Sequence, residues 1–229
     1  GNGLFGQRLG VDIENRVSLL IATLLKDKEA RVWQSQQSNL PEYAEAAPNM
    51  FLSIVEEELV KPHPAFEVLF EPVGSGLFSR CERTGMLWAL ELLAWCPSRL
   101  SRVVKVLGKL STYELDDNWA NKPISSLQDI LLVWRPHTKA KVEQRCEVLE
   151  LLCEQYPEIG WKVCIQPLEP GSSMTSGTYK PKWRADASGA GQNITYQEAD
   201  VYRSKCLELV LSWSSHNLTT LKGLIDCMS

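Results

Sequence analysis

One pattern returns three times and limits the fold more than any other feature of this chain. An apolar helical run is followed by a short break and a second apolar run at 89–110, 148–168 and 206–228. In the first, Leu90, Leu92 and Leu93 lead through Pro97 to Leu100, Val103, Val104, Leu107 and Leu110. In the second, Leu149, Leu151 and Leu152 lead through Pro157 to Ile159, Val163 and Ile165. In the third, Leu207, Leu209 and Val210 lead to Trp213, Leu218 and Leu221. The Leu-Glu-Leu steps at Leu90, Leu149 and Leu207 stand 59 and 58 residues apart. A fixed period of this order marks a stacked array of helical hairpins. No alternating apolar and polar run of useful length competes with it. The expected fold is therefore all-α: an α-solenoid-like stack of HEAT/TPR-like hairpins, with irregular repeats of about 59 residues and long loops.

The hairpins are expected near 83–110, 139–168 and 195–229. Residues 77–229 then form the array, and residues 1–76 an N-terminal helical segment of capping or irregular repeats. In that segment Asp12 caps a helix carrying Ile13, Val17, Leu20, Ile21 and Leu24. Pro41 opens another, since proline fits the first helical turn. From Met50 onward, Phe51, Ile54, Val55 and Leu59 point inward, with Glu56, Glu57 and Glu58 outward. Further on, Ser125 or Ser126 caps a short helix running to Leu132, and Thr138 caps one over 139–155. Thr195 and Asn217 open the last two helices.

Hydrophobic residues make up 44% and charged residues 23%, the balance of a water-soluble globular chain. The net charge of −4 argues against a broad nucleic-acid surface, which would be basic. No apolar run is long enough to span a bilayer, and no signal peptide is visible, so no membrane role is expected. The chain opens Gly1-Asn2-Gly3 without an initiator methionine and reads as a piece of a longer protein. Its seven cysteines are odd in number and lack a Cys-x-x-Cys pair. Most sit in apolar helical runs, where free cysteine behaves as a small hydrophobe. That usage points to the cytoplasm, and makes Asn193-Ile194-Thr195 and Asn217-Leu218-Thr219 chance matches to the glycosylation acceptor.

Two loops hold the residues most suited to recognition. One is 111–126, with Asp116, Asp117 and Trp119; the other is 169–193, with Tyr179, Lys180, Lys182, Trp183 and Arg184. Long loops within compact helical arrays are usually functional or disordered. Tryptophan and arginine most often anchor interfaces. Trp119, Trp134, Arg135, Tyr179, Lys180, Lys182, Trp183 and Arg184 are therefore the candidate partner-binding residues. If the hairpins stack in register, the two loops lie near one another. The same tryptophans have a structural reading as plugs holding the loops to the helical body. Lys180, Lys182 and Arg184, interleaved with Tyr179 and Trp183, also suit a nucleic-acid strand, though three charges are few for phosphate binding.

Catalytic and metal chemistry have little to stand on. His63, His137 and His216 lie outside zinc-ligand spacing with the cysteines. Asp116-Asp117 has no surrounding EF-hand pattern and reads as a solvated turn. His137 beside Pro136 reads as a helix-entry turn, with no nucleophile assignable to it. Phosphate-loop and dinucleotide fingerprints are missing from the sequence. The expectation is a non-catalytic module with no cofactor and no metal.

The run Leu92-Leu93-Ala94-Trp95-Cys96-Pro97, followed by 100–110, Asn118-Trp119-Ala120-Asn121-Lys122-Pro123, 126–130 and Trp134-Arg135-Pro136, resembles helical-repeat regions of large multidomain bacterial proteins. These are the sensor regions of STAND-type NTPases and related antiphage defence proteins. Pro181-Lys182-Trp183-Arg184 fits the same likeness, which covers roughly 90–184. It implies a sensor or scaffold role in a larger bacterial protein and recognition of a foreign protein. The other domains of the parent chain would be further partners. No catalytic residue of such proteins has a counterpart here.

Overall fold

A computed structural model of the chain describes residues 12–71, 81–169, 177–192 and 194–228. Every regular element among them is helical, and no strand occurs among the described residues. The chain divides into two compact units, residues 1–92 with 115–119 and residues 93–114 with 120–229. The dividing point between Leu92 and Leu93 falls inside a helix. The boundary expected at 76/77 lies outside the described residues. None of the described helices is long and apolar enough to cross a membrane.

The first unit begins with α1 (Ile13–Leu25). The Asp12 side chain accepts from the Asn15 N–H at 3.1 Å and so satisfies one of the unpaired donors of the first turn. After α1, Asp27 adopts the left-handed region at φ 53°, which breaks the helix before α2 (Ala30–Gln36). A 3-10 turn (Gln37–Asn39) joins α2 to α3 (Leu40–Ala46). Next come α4 (Pro48–Leu59) and a 3-10 helix (Ala65–Phe70). Pro41 and Pro48 both stand in first turns, where a missing N–H costs nothing. The 3-10 helix packs on α2, and α1 and α3 pack on α4. Trp33 meets Phe66 edge-on at 5.6 Å, and Phe66 meets Phe70 at 6.5 Å. All three rings are buried.

One outward assignment in this unit is corrected. Glu58 is buried rather than solvated beside Glu56 and Glu57. Its carboxylate accepts from the Ala65 N–H at 3.1 Å and pairs with Lys61. It thereby satisfies the turn after α4, which is why a carboxylate stays inside. The helix α5 (Thr84–Ala94) then begins against the turn after α2. A Cβ on Gly85 would lie 1.7 Å from the Gln37 carbonyl oxygen, so only glycine permits that approach.

The second unit contains α6 (Pro97–Leu110), α7 (Pro123–Ile130), α8 (Val142–Gln155), α9 (Pro157–Ile165), α10 (Tyr196–Ser212) and α11 (Leu218–Met228). The helices α6, α9 and α10 all pack on α8; α7 packs on α6, and α9 on α10. Proline starts α6, α7 and α9. Thr195 caps α10 in a reciprocal pair with Glu198, and the Asn217 side chain accepts from the Thr220 N–H at 3.0 Å at the head of α11.

Two helix starts differ from expectation. The helix α7 begins at Pro123 rather than at a serine cap, and Ser126 is buried within it. Thr138 does not cap α8, which starts at Val142; its hydroxyl accepts from the Ala140 N–H at 3.2 Å, inside a turn. Proline supplies a preset φ and hydroxyls serve turns equally well, so local chemistry left both starts open. Of the three repeat-marking leucines, Leu90 and Leu149 are buried and Leu207 is half-buried.

Candidate interaction site

The turn between α7 and α8 carries the first group of candidate residues. The His137 N–H donates to the Ile130 carbonyl at 3.0 Å, folding this turn back on the end of α7. Trp134 and Arg135 are exposed on it. The Trp134 ring meets Tyr196 edge-on at 5.7 Å. The Arg203 guanidinium lies 4.6 Å from the centroid of the Trp134 ring, and its Nε donates to the Pro167 carbonyl at 3.4 Å. Trp134 remains 44% exposed and Tyr196 80%. A large ring held by cation–π contact yet open to solvent is an unusual way to spend apolar surface.

The second group lies in the segment 177–192, which has no α-helix and one 3-10 turn (Ala185–Ala187). Several contacts among the described residues tie it to the rest of its unit. The Trp95 indole N–H donates to the Tyr179 carbonyl at 2.9 Å. Lys180 places its ammonium 5.3 Å from the Trp95 ring centroid. Arg99 pairs with Asp186, and the Lys139 ammonium donates to the Ala185 carbonyl at 2.7 Å. At the far end, Gly191 (φ +65°) lies against Pro136 and Arg135. A Cβ there would come within 2.6 Å of the Pro136 carbonyl oxygen. The segment therefore runs beside the Trp134–Arg135 turn, and the two groups share one neighbourhood.

Between these ties, Lys182 holds its ammonium 5.5 Å from the Tyr179 ring and 5.8 Å from the Trp183 ring. Trp183 is 72% exposed and Arg184 half-buried. From Gly177 to Arg184 there is no acidic residue, so this stretch is locally cationic in a net-acidic chain.

Trp119 belongs to the first unit, whereas the other seven candidates belong to the second. Its environment corrects the reading of Asp116-Asp117 as a solvated turn. Asp117 forms a bidentate pair with buried Arg83 at 2.7 and 2.8 Å, and also accepts from the Trp119 N–H at 3.1 Å. Asp116 is exposed.

Four contributors to this region were not among the candidate partner-binding residues. Trp95 is buried directly after α5, and its N–H anchors the loop. Only its place just before Pro97 hints at this, because the chain leaves the helix there. Tyr196 and Arg203 surround Trp134 from a helix more than sixty residues on, a meeting no local pattern encodes. His137 is buried and stacks on Trp95 at 5.5 Å with an interplanar angle of 28°.

The second unit also brings several cysteines close together. The Cys153 and Cys164 sulfurs lie 3.8 Å apart. Their mutual hydrogen bond and burial push the Cys153 thiol up. At Cys164 the bond with Cys153 pulls down, but a bond with Cys206 and burial raise the net value. Cys146 is pushed up by burial. Such thiols stay protonated at neutral pH and are poor nucleophiles. Arg145 is wholly buried, with its guanidinium 4.9 Å from the Tyr202 ring centroid and Nη1 donating to the Leu132 carbonyl at 3.4 Å. No group of three His, Cys, Asp or Glu that could hold a metal ion occurs among the described residues.

Comparison with protein-family models, with curated proteins and with solved structures returned no significant match for this chain.

Proposed function

We propose that this chain is a non-catalytic helical interaction module that recognises a protein or peptide partner through the Trp134–Arg135 and Tyr179–Arg184 surface. The observation carrying this reading is Trp183, a large ring 72% exposed on a segment fastened to its unit through Tyr179, Lys180, Ala185 and Asp186. Anchored, solvent-facing aromatics with arginine and lysine around them are the composition of interface hot spots. The local positive charge favours a partner segment that is acidic and carries an apolar side chain. The likeness to helical sensor regions of bacterial STAND-type NTPases suits the same role: detection of a protein, in the cytoplasm, by an array built of helical hairpins. The side-by-side packing of α6, α8 and α10 supports an array of this kind.

A nucleic-acid strand is less well served. Lys182 places its ammonium group over the Tyr179 and Trp183 rings, which are the faces a base would stack on.

The test is affinity capture from bacterial lysate, with and without phage infection, using the wild-type chain and the Lys182→Ala/Trp183→Ala variant, before and after nuclease. A protein enriched by the wild type, lost with the variant and retained after nuclease supports the reading, provided circular dichroism of the variant is unchanged. Enrichment abolished by nuclease, with steep salt dependence, would put nucleic acid in its place.

A further inference from the structure

We propose that His137 is an acid-released latch for the segment 177–184. This rests on the interaction reading, because that segment carries Tyr179, Lys182 and Trp183, and it adds regulation of the same surface. His137 is 4% exposed, and its Nδ1 has no hydrogen-bond partner among the described residues. Its ring stacks on Trp95, the same indole that donates to the Tyr179 carbonyl and lies beneath the Lys180 ammonium. The stack and the loop therefore share one anchor. A neutral imidazole suits this place: its flat face covers the indole, and one bare ring nitrogen is tolerated. A protonated ring would bring a second N–H donor and a full charge into a buried site beside Lys180.

The charged groups acting on His137 come from three elements. Asp129 on α7 favours the protonated ring, while Arg135 on its own turn and Lys180 on the segment oppose it. Burial is the largest influence and holds the imidazole below its ordinary value of 6.5. With the docked state binding its proton less readily than the released state, docking is fully favoured above about pH 6.5 and weakens as pH falls through that value. One proton of this kind multiplies the released fraction by up to about 30 between pH 7.5 and 5.0. The Arg99–Asp186 tie is made by other side chains than the His137–Trp95 stack, so it is separable from the latch.

The experiment is amide hydrogen exchange by NMR on the 229-residue chain, corrected for the intrinsic pH dependence, from pH 7.5 to 5.0. The Tyr179, Lys180, Lys182 and Trp183 amides are expected to exchange faster at low pH by up to about 30-fold, while α8 is unchanged. His137→Phe keeps an aromatic stack and should remove the rise; Asp186→Asn should retain it. A flat profile in the wild type, or a rise that persists in His137→Phe, overturns the latch. If His137→Phe does not fold, the His137 ring-proton titration replaces it. A midpoint matching the loop transition supports the latch, and one displaced by a pH unit or more overturns it. None of these readouts needs a partner, so the latch and the interaction reading fail independently.

Discussion

Arg83 in the first unit and Arg145 in the second are both buried, at 3% and 0% exposure, but their charges are met by different means. Arg83 meets Asp117 through two parallel hydrogen bonds. Arg145 forms no salt bridge among the described residues; it lies over the Tyr202 ring, and its Nε and the Tyr202 hydroxyl lack hydrogen-bond partners. Burial pulls the Arg145 guanidinium below the usual arginine range and pushes the Tyr202 phenol up. The contrast holds for the charged groups and is less sharp for the neutral ones. In the first unit buried Glu58 is answered by Lys61 and the Ala65 N–H, while the buried Trp33 indole N–H has no hydrogen-bond partner among the described residues. In the second, buried His137 and Thr178 each keep an atom without such a partner among the described residues. Fully satisfied polar groups rigidify a core, whereas partly satisfied ones are where local opening is least costly. The second unit also carries most of the candidate surface.

The comparison can be broken most forcefully at Asp117. Asp117→Ala removes the bidentate carboxylate from a buried guanidinium and is expected to destabilise the first unit by about 3–5 kcal/mol, read by urea denaturation. Gly85→Ala should cost about 3 kcal/mol or more, because its Cβ would sit 1.7 Å from a backbone oxygen that cannot move aside cheaply. A Gly85→Ala variant with wild-type stability would mean that α5 does not begin against Gln37.

Arg145→Met sharpens the contrast from the other side. Replacing a buried charge that has no ionic partner by an apolar chain of similar length should leave stability within about 1 kcal/mol of the wild type, or raise it. A loss as large as that of Asp117→Ala would show that the Tyr202 ring and the Leu132 carbonyl compensate the charge as well as a carboxylate does. The smallest stability effect belongs to Trp183→Ala, within about 0.5 kcal/mol by the same assay, since the ring is mostly in solvent. Its effect should appear in partner capture. A large loss of stability would instead make Trp183 a plug for its own loop.

Much of the helical framework was legible. Apolar periodicity located α1, α4, α6 and α10, and the prolines at 97 and 157 marked breaks that became helix starts. The caps at Asp12, Thr195 and Asn217 were legible because each bond spans three residues of one turn. Glu58 was not, since its partner N–H lies beyond the helix, across two prolines. The site was half legible. Trp134, Lys182 and Trp183 stood out by type, but Tyr196 and Arg203, the partners of the Trp134 ring, did not. The loop's anchor at Trp95 is 84 residues away from Tyr179 in sequence.

The sequence by itself therefore determined that this chain is helical and where most helices begin and end. Those outcomes depend on backbone propensity, periodicity and capping, all of which act within a turn or two. Tertiary structure alone decided which polar groups are buried, which tryptophans anchor and which face solvent, and that His137 and Lys180 share one indole. Burial and ring contact depend on distances between residues far apart in the chain, and local sequence carries no record of those distances.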